Sequence, residues 1–172
     1  MSNITYRKSI KEDIPSINNL FIEMIKTVNS RMEREGENTN NNYETGFEDG
    51  YLDRFYIDDD RLIYVALDDD KVIGFISIIN KKEYGNIYLD DYCVNEDYRG
   101  QGVGSKLMEM AFDFAKRNEY DQVITHVQGV NKESVEFYFK KGFKLVEIQN
   151  NVSSNRYLIR RVYDTIIKGL MR

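Results

Sequence analysis

The chain has one cysteine, one histidine, one proline and no tryptophan, and no apolar run approaches the ~20 residues a membrane-spanning helix needs. A single thiol excludes an intrachain disulfide. Cys93 lies inside an apolar stretch and reads as a reduced, buried core residue of a cytoplasmic protein, a reactive nucleophile being the alternative. The opening segment MSNITYRKSI lacks the apolar core of an export signal. Basic residues are also in short supply. Twenty-four Lys and Arg face 29 Asp and Glu, a net charge of −5, so the electropositive footprint of a nucleic-acid binder is missing. There is no internal repeat and no Pro/Gly/Ser linker, which leaves a single domain over 1–172.

What is present is strongly patterned. Strand-like segments over 4–10, 62–67, 71–79, 86–94, 122–128, 143–149 and 155–166 alternate with helical periodicity over 14–28, 46–57, 103–117 and 132–141. The first helix carries apolar residues at Ile14, Ile17, Leu20, Phe21, Met24 and Val28, and the second at Phe47, Tyr51 and Phe55. Asp68, Asp69 and Asp70 make a hairpin turn between the second and third strands. Residues 36–46, GENTNNNYETG, form a polar loop.

The densest information lies in 86–104, NIYLDDYCVNEDYRGQGVG, a strand running into a glycine-rich turn that opens a helix. Glycines allow a ligand to approach the backbone, and the first amides of a helix lack internal partners, so the segment suits a pyrophosphate. A Walker A loop fails on spacing, because Lys106 follows Ser105 directly; a dinucleotide fingerprint fails because Ser105 stands where its last glycine belongs. Downstream, 123–143 reads as strand, turn and helix. Asn131 serves as N-cap, Lys140 and Lys141 oppose the dipole, and Gly142 is the left-handed stop.

Arg99-x-x-Gly102-x-Gly104, followed by Asn131, Tyr138 and Gly142-Phe143, resembles the signature of the GNAT superfamily of N-acetyltransferases, and the element order resembles that family over nearly the whole chain. The resemblance implies a single α/β domain of α+β character. Its central mixed, mostly antiparallel sheet would have about seven strands, splayed between the fourth and fifth, with about four helices. It implies acetyl-CoA as co-substrate, no metal, and a small-molecule amine or peptide as acceptor, and it is compatible with a homodimer. The pyrophosphate would lie on Arg99, Gly100, Gln101, Gly102, Val103, Gly104 and Ser105, and pantetheine along the backbone of Tyr92, Cys93 and Val94 and against Asn131.

Tyr138 matches the family tyrosine that protonates the leaving thiolate, though an aromatic at helical spacing also suits plain packing. For the base, the candidates are Asp90, acting through water and oriented by a strand bulge, and His126, which also suits a purely hydrogen-bonded strand role. Residues 29–60 hold ten acidic side chains and three arginines, a net of −7, against +2 for the rest. In the family this segment covers the acceptor, so its carboxylates and its Tyr43, Phe47, Tyr51, Phe55 and Tyr56 would cradle a cationic amine; a solvated surface is the alternative. Transfer to a peptide amine and CoA binding without turnover are the competing functions.

Overall fold

The computed structural model describes residues 3–34, 55, 60–129, 131–150 and 155–162. Its strands are β1 Ile4–Lys8, β2 Arg61–Asp68, β3 Lys71–Lys81, β4 Asn86–Val94, β5 Gln122–Gln128, β6 Lys144–Asn150 and β7 Asn155–Val162. Three α-helices are present among the described residues: α1 Ile14–Arg34, α2 Val103–Arg117 and α3 Lys132–Lys140. The helix expected over 46–57 lies outside the described residues, apart from Phe55.

The seven strands form one sheet in the order β1-β2-β3-β4-β5-β7-β6. All neighbours are antiparallel except β4 and β5, which run parallel. That one parallel pair is short. It joins Asn86–Leu89 to Gln122–Thr125 and then stops, so β4 and β5 diverge with the outer halves of both strands unpaired to each other.

Each face of the sheet carries a separate core, as the alternation of strand side chains requires. On one face, α2 packs Val103, Leu107, Met108, Ala111 and Ala115 against Ile76, Ile78, Ile87, Leu89 and Val123. On the other, Ile17, Leu20 and Phe21 of α1 meet Ile63, Val65, Phe75 and Cys93. Phe55 completes this second core. It is 1% exposed, with its ring edge-on to Phe21 at 5.0 Å and to Phe75 at 5.4 Å. It is therefore a core residue and not part of an acceptor cradle.

β1 is shorter than expected because the chain turns at Ser9 into a one-turn helix, Lys11–Asp13, that launches α1. Asp13 fixes the turn. Its carboxylate accepts from the Ile10 amide at 2.8 Å and from both terminal nitrogens of Arg7 at 2.6 and 2.9 Å. These bonds, the Arg7 contact first, hold the Asp13 carboxyl below its usual range. A depressed carboxylate stabilises the fold above its unfolded pKa of about 4, and that contribution is lost as pH falls through the lower folded value. Asp13→Asn should cost about 1 kcal/mol at pH 7, because Arg7 is partly solvated, and in denaturant melts the gap from wild type should close as pH falls through that lowered value. A gap independent of pH would assign Asp13 to packing alone.

Candidate active site

Where β4 leaves β5, a cleft of about 420 Å³ opens. Tyr92, Cys93 and Val94 of β4 form its floor, Tyr98, Arg99, Gly100, Gly102, Gly104 and Ser105 one end, and Ser134 and Phe137 of α3, with Asn131 just before that helix, the far wall. Met24, Thr27 and Val28 of α1 close it from the other side. The α1 residues escaped the sequence reading because their i, i+3, i+4 spacing is that of a core stripe, and only tertiary packing shows that this turn of α1 reaches the cleft.

Strand geometry determines which amides face the cleft. The Asn95 amide donates to the Ile73 carbonyl at 2.8 Å, and register pairs Val94 with Gly74, Cys93 with Phe75 and Tyr92 with Ile76. Antiparallel ladders alternate, so Asn95 and Cys93 bond to β3 while Val94 and Tyr92 turn their N–H and C=O outward. The Arg99 Nε bond to the Val94 carbonyl, 3.1 Å, confirms the parity. Of the three amides expected along pantetheine, those of Tyr92 and Val94 therefore meet the cleft, and that of Cys93 is turned to β3. The Cys93 side chain is buried, its thiol 3.7 Å from the Leu20 carbonyl, and burial pushes the thiol up to about 12, which makes it inert as a nucleophile at neutral pH.

The turn into α2 is built on two left-handed glycines, Gly100 at φ 73° and Gly102 at φ 85°. Space beside both is open, with no atom within 4 Å of where a Cβ would sit. The first bond of α2 runs from the Lys106 amide to the Gly102 carbonyl, so the amides of Val103, Gly104 and Ser105 have no acceptor within the helix. Val103 otherwise serves the core, and Gln101 turns away to donate to the Asp97 carbonyl at 2.9 Å. Gly104 differs from the other two glycines. A Cβ there would lie 1.7 Å from the Tyr92 hydroxyl, so this glycine makes room for a protein side chain and not directly for a ligand. Gly102→Val should lower CoA affinity at least tenfold in calorimetric titration, because a branched side chain occupies the open space and strains the turn. Unchanged affinity in the folded variant would remove the pyrophosphate from this turn.

The titratable candidates gather where the ladder ends. Thr125, the last residue of β5 paired with β4, donates its hydroxyl to the Leu89 carbonyl at 2.8 Å. Tyr138 reaches this point from α3, is hydrogen-bonded to Thr125, and packs among Tyr92, Phe137 and Phe143. It lies one layer behind the cleft lining. Burial raises its pKa, with the Thr125 bond acting in the opposite sense, so the phenol is fully protonated at neutral pH.

On the opposite face lie Tyr88 and His126. Their neighbours Ile87, Leu89, Val123 and Val127 pack in the α2 core, which directs these two side chains the other way. Tyr88 Oη is 3.0 Å from His126 Nδ1. Asp90 is elsewhere. Its carboxylate accepts from Arg61 Nη1 at 2.8 Å in a nearly buried ion pair, so its hydrogen-bonding edge is engaged by a guanidinium. Asn131 caps α3 through its side-chain oxygen, 3.3 Å from the Ser134 amide. Among the described residues no three His, Cys, Asp or Glu side chains gather as a metal site needs.

An outward strand edge leading into the amide-rich start of a helix, around a single cleft, defines a site for an extended ligand with an anionic end. The chain belongs to the acetyltransferase (GNAT) family, whose profile matches residues 26–143. It is 31% identical over 103 residues to a Drosophila melanogaster protein named probable N-acetyltransferase san, a match covering 56% of each chain. Its fold is similar to that of the PaiA N-acetyltransferase of Thermoplasma acidophilum, solved with coenzyme A, with TM-score 0.76, 21% identity, and 94% of this chain and 99% of that one covered. A Bacillus anthracis protein assigned as a streptothricin acetyltransferase, solved with acetyl coenzyme A, matches at 25% identity and TM-score 0.58 over 65% of this chain and 68% of that one. The chain spans 56% of the length of its curated Drosophila relative.

Proposed function

We propose that the protein transfers the acetyl group of acetyl-CoA to the primary amine of a small cationic acceptor by direct attack. The observation that carries this reading is the continuity of the outward amides of Tyr92 and Val94 with the open turn at Gly100 and Gly102 and the first amides of α2, around one cleft. Such a path pairs with an amide-bearing arm as an added strand would and ends on donors suited to a pyrophosphate. Asn131 and Ser134 flank the arm from α3, and the Tyr92 amide, just beyond the end of the β4–β5 ladder, faces the thioester oxygen.

Proton traffic follows from the two faces. The acceptor nitrogen attacks from the Tyr88 side and gives its proton to Tyr88 Oη as the Tyr88 proton passes to His126 Nδ1, leaving an imidazolium. On the α3 side the Tyr138 hydroxyl donates to the departing thiolate; the dry surroundings that hold the Tyr138 proton raise the proton affinity of a thiolate formed beside it as well. His126→Gln and Tyr88→Phe should each lower kcat about tenfold or more and remove the acidic limb of the pH–rate profile, with the Michaelis constant for acetyl-CoA little changed. An intact acidic limb in both variants would exclude the pair as the base.

The acceptor class rests on the charge of 29–60, most of which lies outside the described residues, and on the small-molecule acceptor in the name of the Bacillus anthracis relative. Carboxylates around a cationic amine attract it through screened charge, so the Michaelis constant for the amine should rise with salt across the range where the Debye length falls from about 30 to 8 Å. Neutral and cationic acceptors turned over equally, or peptides preferred to both, would instead favour the open-groove alternative.

A further inference from the structure

We infer that Arg61 and Ser77 are positioning residues that lock a bulge at Asp90 and thereby select which β4 amides face the substrate, an assignment that rests on the acyl-transfer reading above. Asp90 is unusual in β4. In the β3 register Ser77 opposes Asp91 and Ile78 opposes Leu89, so the register shifts by one residue at Asp90, and the ladder to β5 ends one residue before it. Asp90 is therefore the bulged residue of β4. Its side chain is nevertheless fixed. Arg61 of β2 reaches across β3 on the α1 face, and its Nη1 donates to Asp90 at 2.8 Å and to the Ser77 hydroxyl at 2.7 Å. The Arg61 and Asp90 side chains are 10% and 14% exposed, and Ser77 is wholly buried.

The extra residue changes the parity of the strand. Before the bulge the Leu89 carbonyl faces β5, where it accepts from Thr125. In a regular strand the next outward residues would be Asp91 and Cys93. With Asp90 inserted they are Tyr92 and Val94, as the Asn95 bond to Ile73 and the Arg99 bond to Val94 show. The side chains shift in step, so that Leu89 and Tyr92, three apart, both join the α2 face. Burying an ion pair is costly, and an apolar pair of similar volume commonly replaces one without loss of stability. Stability therefore does not account for the pair, whereas parity does: it holds the one residue whose slippage would turn the Tyr92 and Val94 amides away from the cleft and bring those of Asp91 and Cys93 round in their place.

The double variant Arg61→Met, Asp90→Leu tests this with a ketone analogue of acetyl-CoA, carbon-13 labelled at its carbonyl and unable to transfer its acyl group. Difference infrared spectra of the wild-type complex should show the carbonyl stretch shifted to lower frequency by the Tyr92 amide. In the double variant that shift should be lost and kcat should fall about 10²-fold, while the melting temperature is equal or higher and the Michaelis constant for the amine is unchanged. Arg61→Lys, which keeps the charge but not the reach to both partners, should lose part of the shift and severalfold in kcat, and it carries the test if the double variant does not fold. A wild-type shift that persists in the variants, with kcat intact, overturns the positioning role alone. Absence of any shift in the wild-type complex overturns the acyl-transfer reading at this site and the positioning role with it.

Discussion

Tyr138→Phe should slow acetyl transfer by about 10²-fold or more while acetyl-CoA binds nearly as before. The substitution removes one oxygen and leaves the ring, whose contacts with Tyr92, Phe137 and Phe143 form the wall between α3 and the sheet. Packing should survive, because the ring–ring distances of 5.2 to 6.4 Å involve carbon atoms that phenylalanine keeps. The lost oxygen is the one hydrogen-bonded to Thr125 at the point where β4 and β5 part. In the proposed mechanism its loss leaves the departing thiolate without its proton donor on the α3 side. Pre-steady-state thiol release separates this from slow product release: the burst rate itself should fall. A variant with wild-type burst rate would leave Tyr138 a packing residue.

Gly104→Ala should destabilise the fold, and the loss should depend on Tyr92. The added Cβ would lie 1.7 Å from Tyr92 Oη and 3.0 Å from Cζ, so either the ring must leave its stack on Phe137, 5.4 Å away and nearly parallel, or the first turn of α2 must move. Overpacking of this kind costs roughly 1–3 kcal/mol, which for a domain of this size lowers the melting temperature by several degrees. Tyr92→Leu removes the hydroxyl and the outer ring, so Gly104→Ala should cost much less in that background. The double-mutant cycle should therefore show a coupling of about 1 kcal/mol or more. Additive effects would mean that Gly104 is required for the helix start alone. CoA affinity should fall in Gly104→Ala and recover in part in the double variant, since Tyr92 and Gly104 both line the cleft.

Local chemistry made most of the architecture legible. The helix over 103–117 has the bounds its periodicity predicts, because a left-handed glycine starts it and Lys116 and Arg117 close it. Asn131 caps the start of α3 through its side chain, and Gly142, left-handed at φ 87°, follows its end. α1 runs on to Arg34, past the Val28 limit that its apolar stripe suggested, because its polar last turns continue without a breaker. The site was legible where it is backbone: the glycine turn, the helix amides and the free edge of β4. It was obscure where it depends on side chains distant in sequence. Arg61 with Asp90, Tyr88 with His126 and Tyr92 with Gly104 are each created by register and bulge, and no local pattern encodes which of two adjacent amides a bulged strand turns outward. Phe55 shows the same limit, since its helical spacing in an acidic segment suggested a ligand contact and its packing puts it in the core.

The most direct measurement is thiol release from acetyl-CoA by the purified full chain, followed continuously against a panel of polyamines, aminoglycosides, amino acids and peptides, with the acetylated product weighed by mass spectrometry. The proposed chemistry predicts one acetylated amine per thiol released, a rate that depends on the amine, and cationic small molecules turned over best. Tight binding of acetyl-CoA with no amine-dependent thiol release across the panel would contradict it and leave a CoA-binding regulatory module.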